Sequence, residues 1–104
     1  MTCGLFVTLT AERAIRGLAA KFPVETREDI FKHLLMLAGN PSLGQVITRG
    51  PLKGRRAYPF RIIRSPQVIV LTAFFEMSDD GNTLTITYIS EGDAVKKPAK
   101  AAGA

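Results

Sequence analysis

The chain has 104 residues, which is enough for one compact domain and too short for two. Apolar residues make up 46% and charged residues 22%, a balance that excludes a mainly disordered, collagen-like or coiled-coil protein. The longest nearly unbroken apolar run, residues 68–75, is too short to cross a membrane, and no basic stretch precedes the first apolar residues. We therefore predict neither a membrane span nor a secretory signal.

The chain contains one cysteine, Cys3, and one histidine, His33. A single cysteine cannot form an internal disulfide, and with one histidine it cannot build a zinc site. We therefore expect no metal, no cofactor and a reducing, cytoplasmic environment. Cys3 has no base beside it in the sequence and is interpreted as an inert thiol, and His33, on the flank of a predicted helix, as structural or solvated.

The net charge of +5 is unevenly distributed along the chain. Residues 47–66 hold six basic side chains and no acidic one, whereas residues 67–95 hold five acidic side chains and no basic one. A run of positive charge is a candidate anion site, and phosphate is the commonest large anion in a cytoplasm. The alternative is a solvated loop kept soluble by its charge. The candidate anion-binding residues are Arg49, Lys53, Arg55, Arg56, Arg61 and Arg64.

The N-terminal half predicts one strand followed by two helices. Residues 5–9 alternate as a strand does, and Thr10 is then placed to cap a helix whose apolar stripe ends before Pro23. Thr26 and Asp29 have the spacing of a capping box at the start of a second helix. Because so few residues separate the two helices, we expect them to form an antiparallel hairpin.

The C-terminal half predicts a loop over residues 42–54 and then three strands of an antiparallel meander. These strands cover residues 58–63, 68–75 and 83–89. The predicted fold is an α+β domain over residues 1–93, with both helices on one face of a small sheet and the other face open. Residues 94–104 are expected to form a flexible basic tail.

Strand alternation assigns side chains to the two faces of the predicted sheet. Tyr58, Phe60 and Ile62 make the better core set on the second strand, which turns Arg61 to the open face. On the last strand, Tyr88 is expected to face the helices. The third strand is expected to place Ile69, Leu71, Ala73 and Phe75 in the core and Val68, Val70, Thr72 and Phe74 on the open face.

The same alternation predicts a basic concavity on the open face. In it Arg61 would lie side by side with Lys53, Arg55 and Arg56 from the preceding loop. The alternative for Arg61 is a cross-strand ion pair with an acid such as Glu76. The two interpretations differ in whether the guanidinium is free to meet an anion.

Three short runs follow one another on the predicted elements: Leu-Ala-Gly-Asn-Pro at 37–41, Arg-Gly-Pro-Leu-Lys-Gly at 49–54 and Tyr-Pro-Phe-Arg-Ile at 58–62. In this order and spacing the sequence resembles the RelE/ParE toxin superfamily of bacterial toxin–antitoxin modules, over roughly residues 4–92. The resemblance implies one of two activities. RelE-like members are ribosome-dependent endoribonucleases that cut messenger RNA in the decoding site, and ParE-like members inhibit DNA gyrase without chemistry. It also implies a cognate antitoxin as partner, and hence a monomer or a hetero-oligomer with that antitoxin.

The resemblance can be followed to individual residues. Cleavage of RNA through its 2′-hydroxyl needs a base, cations for the phosphate and an acid for the leaving oxygen. Arg61 matches a second-strand position of RelE-like enzymes and is the candidate catalytic residue. Where the third strand should offer arginine the chain has Gln67 and Val68, and the segment 90–94, where an arginine and a tyrosine or histidine are expected, is acidic.

The sequence therefore predicts a RelE-like toxin acting on translation through ribosome or messenger RNA binding, and leaves open whether it cleaves the message. The alternatives are a ParE-like, non-catalytic gyrase inhibitor and a degenerate toxin homologue that only binds protein or nucleic acid.

Overall fold

The computed structural model describes residues 4–22, 25–48, 50–64 and 67–93, without the side chains of residues 64 and 67. The helices of this part of the chain are α1 (Leu9–Lys21), α2 (Thr26–Gly39) and a short 3-10 helix (Pro41–Leu43). Its strands are β1 (Gly4–Val7), β2 (Gln45–Val46), β3 (Arg56–Arg64), β4 (Gln67–Met77) and β5 (Thr83–Glu91). The expectations for Cys3, Arg49, the side chain of Arg64 and the tail 94–104 lie outside the described residues.

The five described strands form one sheet in the order β1-β5-β4-β3-β2. β1 runs parallel to β5, and all other neighbours are antiparallel. The predicted α+β architecture of a strand, a helical hairpin and an antiparallel meander is confirmed. β2 falls in the stretch predicted as loop. It has only two residues, which pair with Ala57 and Arg56, and two residues are too few for an alternation of apolar and polar side chains to be recognised in the sequence.

Both helices begin at a residue other than the predicted one. The N-cap of α1 is Thr8, whose side-chain oxygen accepts a hydrogen bond from the backbone N–H of Ala11 at 3.1 Å, so the prediction of Thr10 is wrong by two residues. The Thr8 hydroxyl also donates a hydrogen bond to the Thr87 carbonyl of β5, at 3.3 Å. In α2 the helix already includes Thr26, and its N-cap, Glu25, makes no side-chain capping bond. The predicted capping box is therefore wrong as well.

The main core lies between the helices and one face of the sheet. The predicted inward positions of β3 and β4 are confirmed, since Phe60, Ile62 and the four inward residues of β4 are all at most 5% exposed. The largest fully buried contributions come from Ile15, Ile30, Leu34, Leu37, Leu71, Leu84, Ile86 and Ile89. Gly44, between the 3-10 helix and β2, lies so close to the Phe75 ring that a Cβ atom there would overlap it.

A register shift between β4 and β5 changes which side chains of β5 face the core. Phe75 pairs with Ile86, but the preceding residue, Phe74, pairs with Tyr88, so Thr87 is an extra residue in β5. The alternation therefore changes phase, and Ile89 takes the buried position. Tyr88 turns to the open face and is 46% exposed, so the prediction that it faces the helices is wrong.

The open face of the sheet is half covered. Ile47, Ala57 and Phe74 form a second buried cluster. Ala57 and Phe74 are cross-strand partners on the open face, so the segment that carries Ile47 folds over that face. Two backbone hydrogen bonds hold this segment: the Ile47 N–H donates to the Arg55 carbonyl, and the Gly54 N–H donates to the Ile47 carbonyl, each at 2.8 Å. Phe74 therefore points outward as predicted but is only 7% exposed.

The other half of the open face stays accessible. Val68 and Ile63 are cross-strand partners there and are 53% and 70% exposed. Thr72 is the exception, because its hydroxyl donates to the Gly92 carbonyl at 2.7 Å and the residue is fully buried. In the next pair beyond Thr72, Arg61 is exposed and its partner Val70 is half-buried.

Candidate functional site

Arg61 is exposed in the middle of β3, opposite Val70 of β4. Its neighbours Phe60 and Ile62 face the helices, so alternation places Arg61 on the open face. Glu76, the acid considered as its cross-strand partner, lies six residues from Val70 along β4, roughly 20 Å away along the strand. The cross-strand pair of Arg61 with Glu76 is therefore wrong.

Arg61 lies on a stretch of β3 that forms an edge of the sheet. β2 pairs only with Ala57 and Arg56, so from Tyr58 onward β3 has no further strand beside it among the described residues. Pro59 agrees with this position, because proline lacks a backbone N–H and occurs in sheets mainly on edge strands. Outward-pointing backbone groups on this stretch therefore have no partner strand among the described residues.

Two hollows flank Arg61, one of about 240 Å³ and one of about 370 Å³. Arg61 and His33 line both hollows. The smaller is further lined by Asp29, Lys32, Ile62 and Ile63, and the larger by Tyr58, Pro59, Phe60, Val70 and Asp93. The sequence did not single out His33 for this place, since nothing in the sequence shows that α2 packs beside the edge of β3.

The His33 ring is held by aromatic neighbours from β3. It stacks on Phe60 with ring centroids 4.7 Å apart, and Phe60 in turn stacks on Tyr58 at 5.5 Å. His33 Nδ1 lies 3.5 Å from the Tyr58 hydroxyl. Tyr58 is half-buried against the main core, as its predicted inward orientation requires. The histidine is thus fixed in orientation while it still lines both hollows.

Burial shifts the proton equilibria of this pair. Desolvation lowers the pKa of His33 below its ordinary 6.5, an effect that Asp29 and the backbone of Arg61 partly oppose. Burial raises the pKa of the Tyr58 hydroxyl above its ordinary 10.0. At neutral pH the imidazole is therefore uncharged and able to accept a proton, and the phenol is protonated.

The other described candidate cations, Lys53, Arg55 and Arg56, lie elsewhere. Arg56 and Arg61 are five residues apart on β3, so their side chains leave opposite faces of the strand about 16 Å apart. Arg55 and Arg56 line a third hollow of about 300 Å³ together with Glu76. Lys53 is exposed near the tip of the hairpin between β2 and β3. Neither of the two hollows that Arg61 lines includes these three cations, so the structure does not assemble the predicted concavity around Arg61.

The positions at which the resemblance implied further catalytic groups can also be located. Val68 lies on the open face and is 53% exposed, but it is apolar. Glu91 pairs with Lys21 of α1 at 2.7 Å, on the helix side of the sheet. Asp93 lines the larger hollow beside Arg61. Of the two acids at the end of β5, only Asp93 therefore lies where it would meet a ligand of Arg61.

Two further searches concern only the described residues. They contain no group of three or more His, Cys, Asp or Glu side chains able to hold a metal ion. No helix among them has both the length and the apolar character that crossing a membrane requires.

No protein-family model matches the sequence, and no curated protein matches it. Solved structures do match its fold. A chain of the toxin-antitoxin complex RelBE2 from Mycobacterium tuberculosis superposes with a TM-score of 0.65 at 17% identity, covering 88% of this chain and 100% of that chain. A double mutant of the E. coli toxin RelE in the free state superposes with a TM-score of 0.59 at 14% identity, covering 99% of this chain and 97% of that one. The chain therefore has a RelE-like toxin fold, as the resemblance of its motifs predicted.

Proposed function

We propose that this protein is the toxin of a toxin–antitoxin module and acts on translation, RelE-like, by binding messenger RNA on the ribosome. The observation that carries the proposal is Arg61, an exposed guanidinium in the middle of a strand on the open face of a RelE-like sheet. The fold does not need a charge at this position. A guanidinium there is suited to bind phosphate oxygens through two parallel hydrogen bonds.

The charge distribution supports a nucleic acid as ligand. Arg61 and the exposed cations Lys53, Arg55 and Arg56 form two separate basic regions within residues 47–66, a stretch of sequence that holds no acid. In the fold, Glu76 lies beside Arg55 and Arg56. An extended strand of RNA presents phosphates at regular intervals and can meet both regions at once. Single-stranded RNA fits this arrangement better than one small anion.

We further propose an antitoxin as partner. One fold neighbour comes from a toxin-antitoxin complex. The accessible half of the open face carries Arg61 beside the exposed apolar residues Ile63 and Val68. An antitoxin segment that covers this half would shield the proposed ligand-binding residue from messenger RNA, and the toxin would be released in the cytoplasm when that segment is lost.

Expression in bacteria tests the proposal. The wild-type chain, expressed alone, should stop growth and reduce incorporation of labelled methionine before it affects DNA synthesis. Arg61→Ala should relieve most of the arrest, and Arg13→Ala, an exposed arginine of α1, serves as the matched control that should not. Unimpaired growth with normal protein synthesis at high expression would contradict the proposed function.

One observation favours a second candidate, a ParE-like inhibitor of DNA gyrase that does no chemistry. Val68 leaves a phosphate at Arg61 without a cation from β4, and Asp93 adds a negative charge beside it. Both features weaken RNA binding and are neutral toward a protein target. Supercoiling by purified gyrase distinguishes the two: inhibition at concentrations that leave ribosomal translation intact would decide for this candidate.

A further inference from the structure

The backbone of Arg61 points toward the free edge of the sheet. The Val70 carbonyl accepts a hydrogen bond from the Gly92 N–H at 2.7 Å, so the backbone groups of Val70 point away from β3. In an antiparallel pair, the N–H and C=O of one residue point to the same side, and directly opposed residues share their hydrogen-bonding state. Because Arg61 opposes Val70, its own N–H and C=O point outward from β3.

His33 of α2 lies beside the sheet edge to which the backbone groups of Arg61 point. Arg61 and the His33 imidazole line both hollows at this edge. We call this place the edge notch: the Arg61 guanidinium and backbone N–H, the His33 ring and the two hollows between them. An anion bound in the edge notch could contact a guanidinium, a backbone N–H donor and an imidazole nitrogen that can take up a proton.

The edge notch also contains other charged and titratable groups. Asp29 and Lys32 line it from α2, Tyr58 lines it from β3 and Asp93 lines it after β5. Burial of His33 outweighs the opposing effect of Asp29, so the ring is neutral at pH 7. A neutral imidazole held in place by stacking on Phe60 is suited to accept a proton.

We propose that the edge notch holds one phosphodiester of single-stranded RNA and that His33 accepts the proton of the neighbouring 2′-hydroxyl. The inference rests on the proposed contact with messenger RNA and adds the group that makes cleavage feasible where Val68 and the acidic end of β5 supply none. In this arrangement His33 is a catalytic residue and Arg61 the cation that neutralises the phosphate.

The step balances as an internal transesterification. The 2′-oxygen forms a bond to phosphorus as the bond from phosphorus to the 5′-oxygen breaks, which leaves a 2′,3′-cyclic phosphate and a free 5′-hydroxyl. The 2′-hydroxyl proton passes to the imidazole, and the leaving 5′-oxygen takes a proton from water. The imidazolium then neutralises the hydroxide so formed, so no proton is consumed overall.

Binding can be tested without a ribosome. His33 is the only histidine of the chain, so its imidazole signal in an NMR pH titration is unambiguous. A short single-stranded DNA, which carries phosphodiesters but no 2′-hydroxyl that could be activated, should raise the pKa of His33, because a neighbouring phosphate favours the imidazolium. The shift should vanish in Arg61→Ala and persist in Arg13→Ala. An identical titration with and without the oligonucleotide would overturn the edge notch as a phosphate site.

Proton transfer is tested by cleavage of messenger RNA on programmed ribosomes. His33→Gln keeps a planar polar side chain but cannot titrate, and it should slow cleavage on the order of 10²- to 10⁴-fold while ribosome binding is retained. The wild-type rate should rise with pH through the pKa of His33 and then level off, and the products should end in a cyclic phosphate.

The outcomes separate the two proposals. A wild-type chain that binds ribosomes without cutting, or a His33→Gln variant that cuts at the wild-type rate, overturns the role of His33 and leaves the proposed function standing. A wild-type chain that binds no ribosome overturns the proposed function, and the NMR titration then decides on the phosphate site alone. Thermal unfolding of each variant shows whether a loss of cleavage reflects a loss of folded protein.

Discussion

The two halves of the open sheet face differ in what covers them. In one half Ile47, from the hairpin between β2 and β3, covers Phe74 and Ala57 and buries all three. In the other half Ile63 and Val68 stay more than half exposed beside Arg61. The covered half has become a second core, and the accessible half is left for a ligand. The hairpin that carries Lys53 and Arg55 thus contributes to stability on one half, while binding is proposed for the other.

The largest expected effect is on the covered half. Phe74→Ala should lower the free energy of unfolding by about 3–5 kcal/mol, because it removes a buried ring and leaves a cavity beneath Ile47. Ile63→Ala, on the accessible half, should change it by less than about 0.5 kcal/mol. Urea unfolding followed by circular dichroism measures both. Similar losses in the two variants would show that the halves are equally packed and would remove the comparison.

A substitution at Gly44, just before β2, should give the next largest effect on stability. Gly44→Ala should cost about 1–3 kcal/mol, since the new Cβ overlaps the ring of Phe75, which is 3% exposed and has little room to move. Gly17→Ala is the matched control, because its Cβ would meet nothing within 4 Å on α1. There the substitution should stabilise the chain by about 0.5–1 kcal/mol. If both variants are equally stable in urea, the close approach at Gly44 is not required.

His33, at the sheet edge next to the accessible half, should show its titration in the pH dependence of stability. The pKa of His33 is lower in the folded chain than its ordinary 6.5, so the contribution of this residue is complete above that value. As the pH falls below 6.5 the unfolded chain takes up a proton that the folded chain refuses, and the free energy of unfolding decreases until the folded pKa is reached. Urea midpoints compared between wild type and His33→Gln isolate this effect, which should be absent from the variant.

The smallest effect, on the salt dependence of binding, tests whether a ligand bridges the two regions. Removing one phosphate contact should make the slope of log affinity against log salt shallower by about 0.7 for a single-stranded ligand. We expect this change for Arg61→Ala and for Lys53→Ala, measured by fluorescence anisotropy with labelled RNA. Arg13→Ala should leave the slope unchanged. A change for Lys53→Ala alone would move the binding site from the accessible half to the hairpin.

The alternation of inward-facing and outward-facing residues predicted the strands correctly wherever a strand was long and regular. The inward and outward positions of β3 and β4 follow from alternation alone, and with the motif order they led to the RelE-like fold. The bulge at Thr87 turns Tyr88 to the face opposite the predicted one. An extra residue in one strand is recognised only when that strand is aligned with its partner strand, so the sequence of β5 alone did not show it. The cap at Thr8 was missed for a similar reason, because the Thr87 carbonyl that its hydroxyl contacts comes from a strand distant in sequence.

The candidate site was predictable for single residues and not for their grouping. An outward arginine in mid-strand can be found by counting along β3, and Arg61 lies where the count placed it. Counting by itself also separates Arg56 from Arg61, since an odd spacing puts them on opposite faces. His33 is different, because its approach to the edge of β3 depends on how α2 packs across the sheet, which no local pattern of the sequence records.

The pairing of β1 with β5 has a consequence for how the chain is made. Gly4 pairs with Thr83, and the hydroxyl of Thr8 donates to a carbonyl 79 residues further along. Such distant partners give a fold a high contact order, and their pairing waits until both have been synthesised. While β5 is still inside the ribosome, β1 has no strand to join and β4 lacks one neighbour. A nascent chain is therefore without its complete sheet until β5 has left the ribosome, so the finished fold forms only near the end of synthesis.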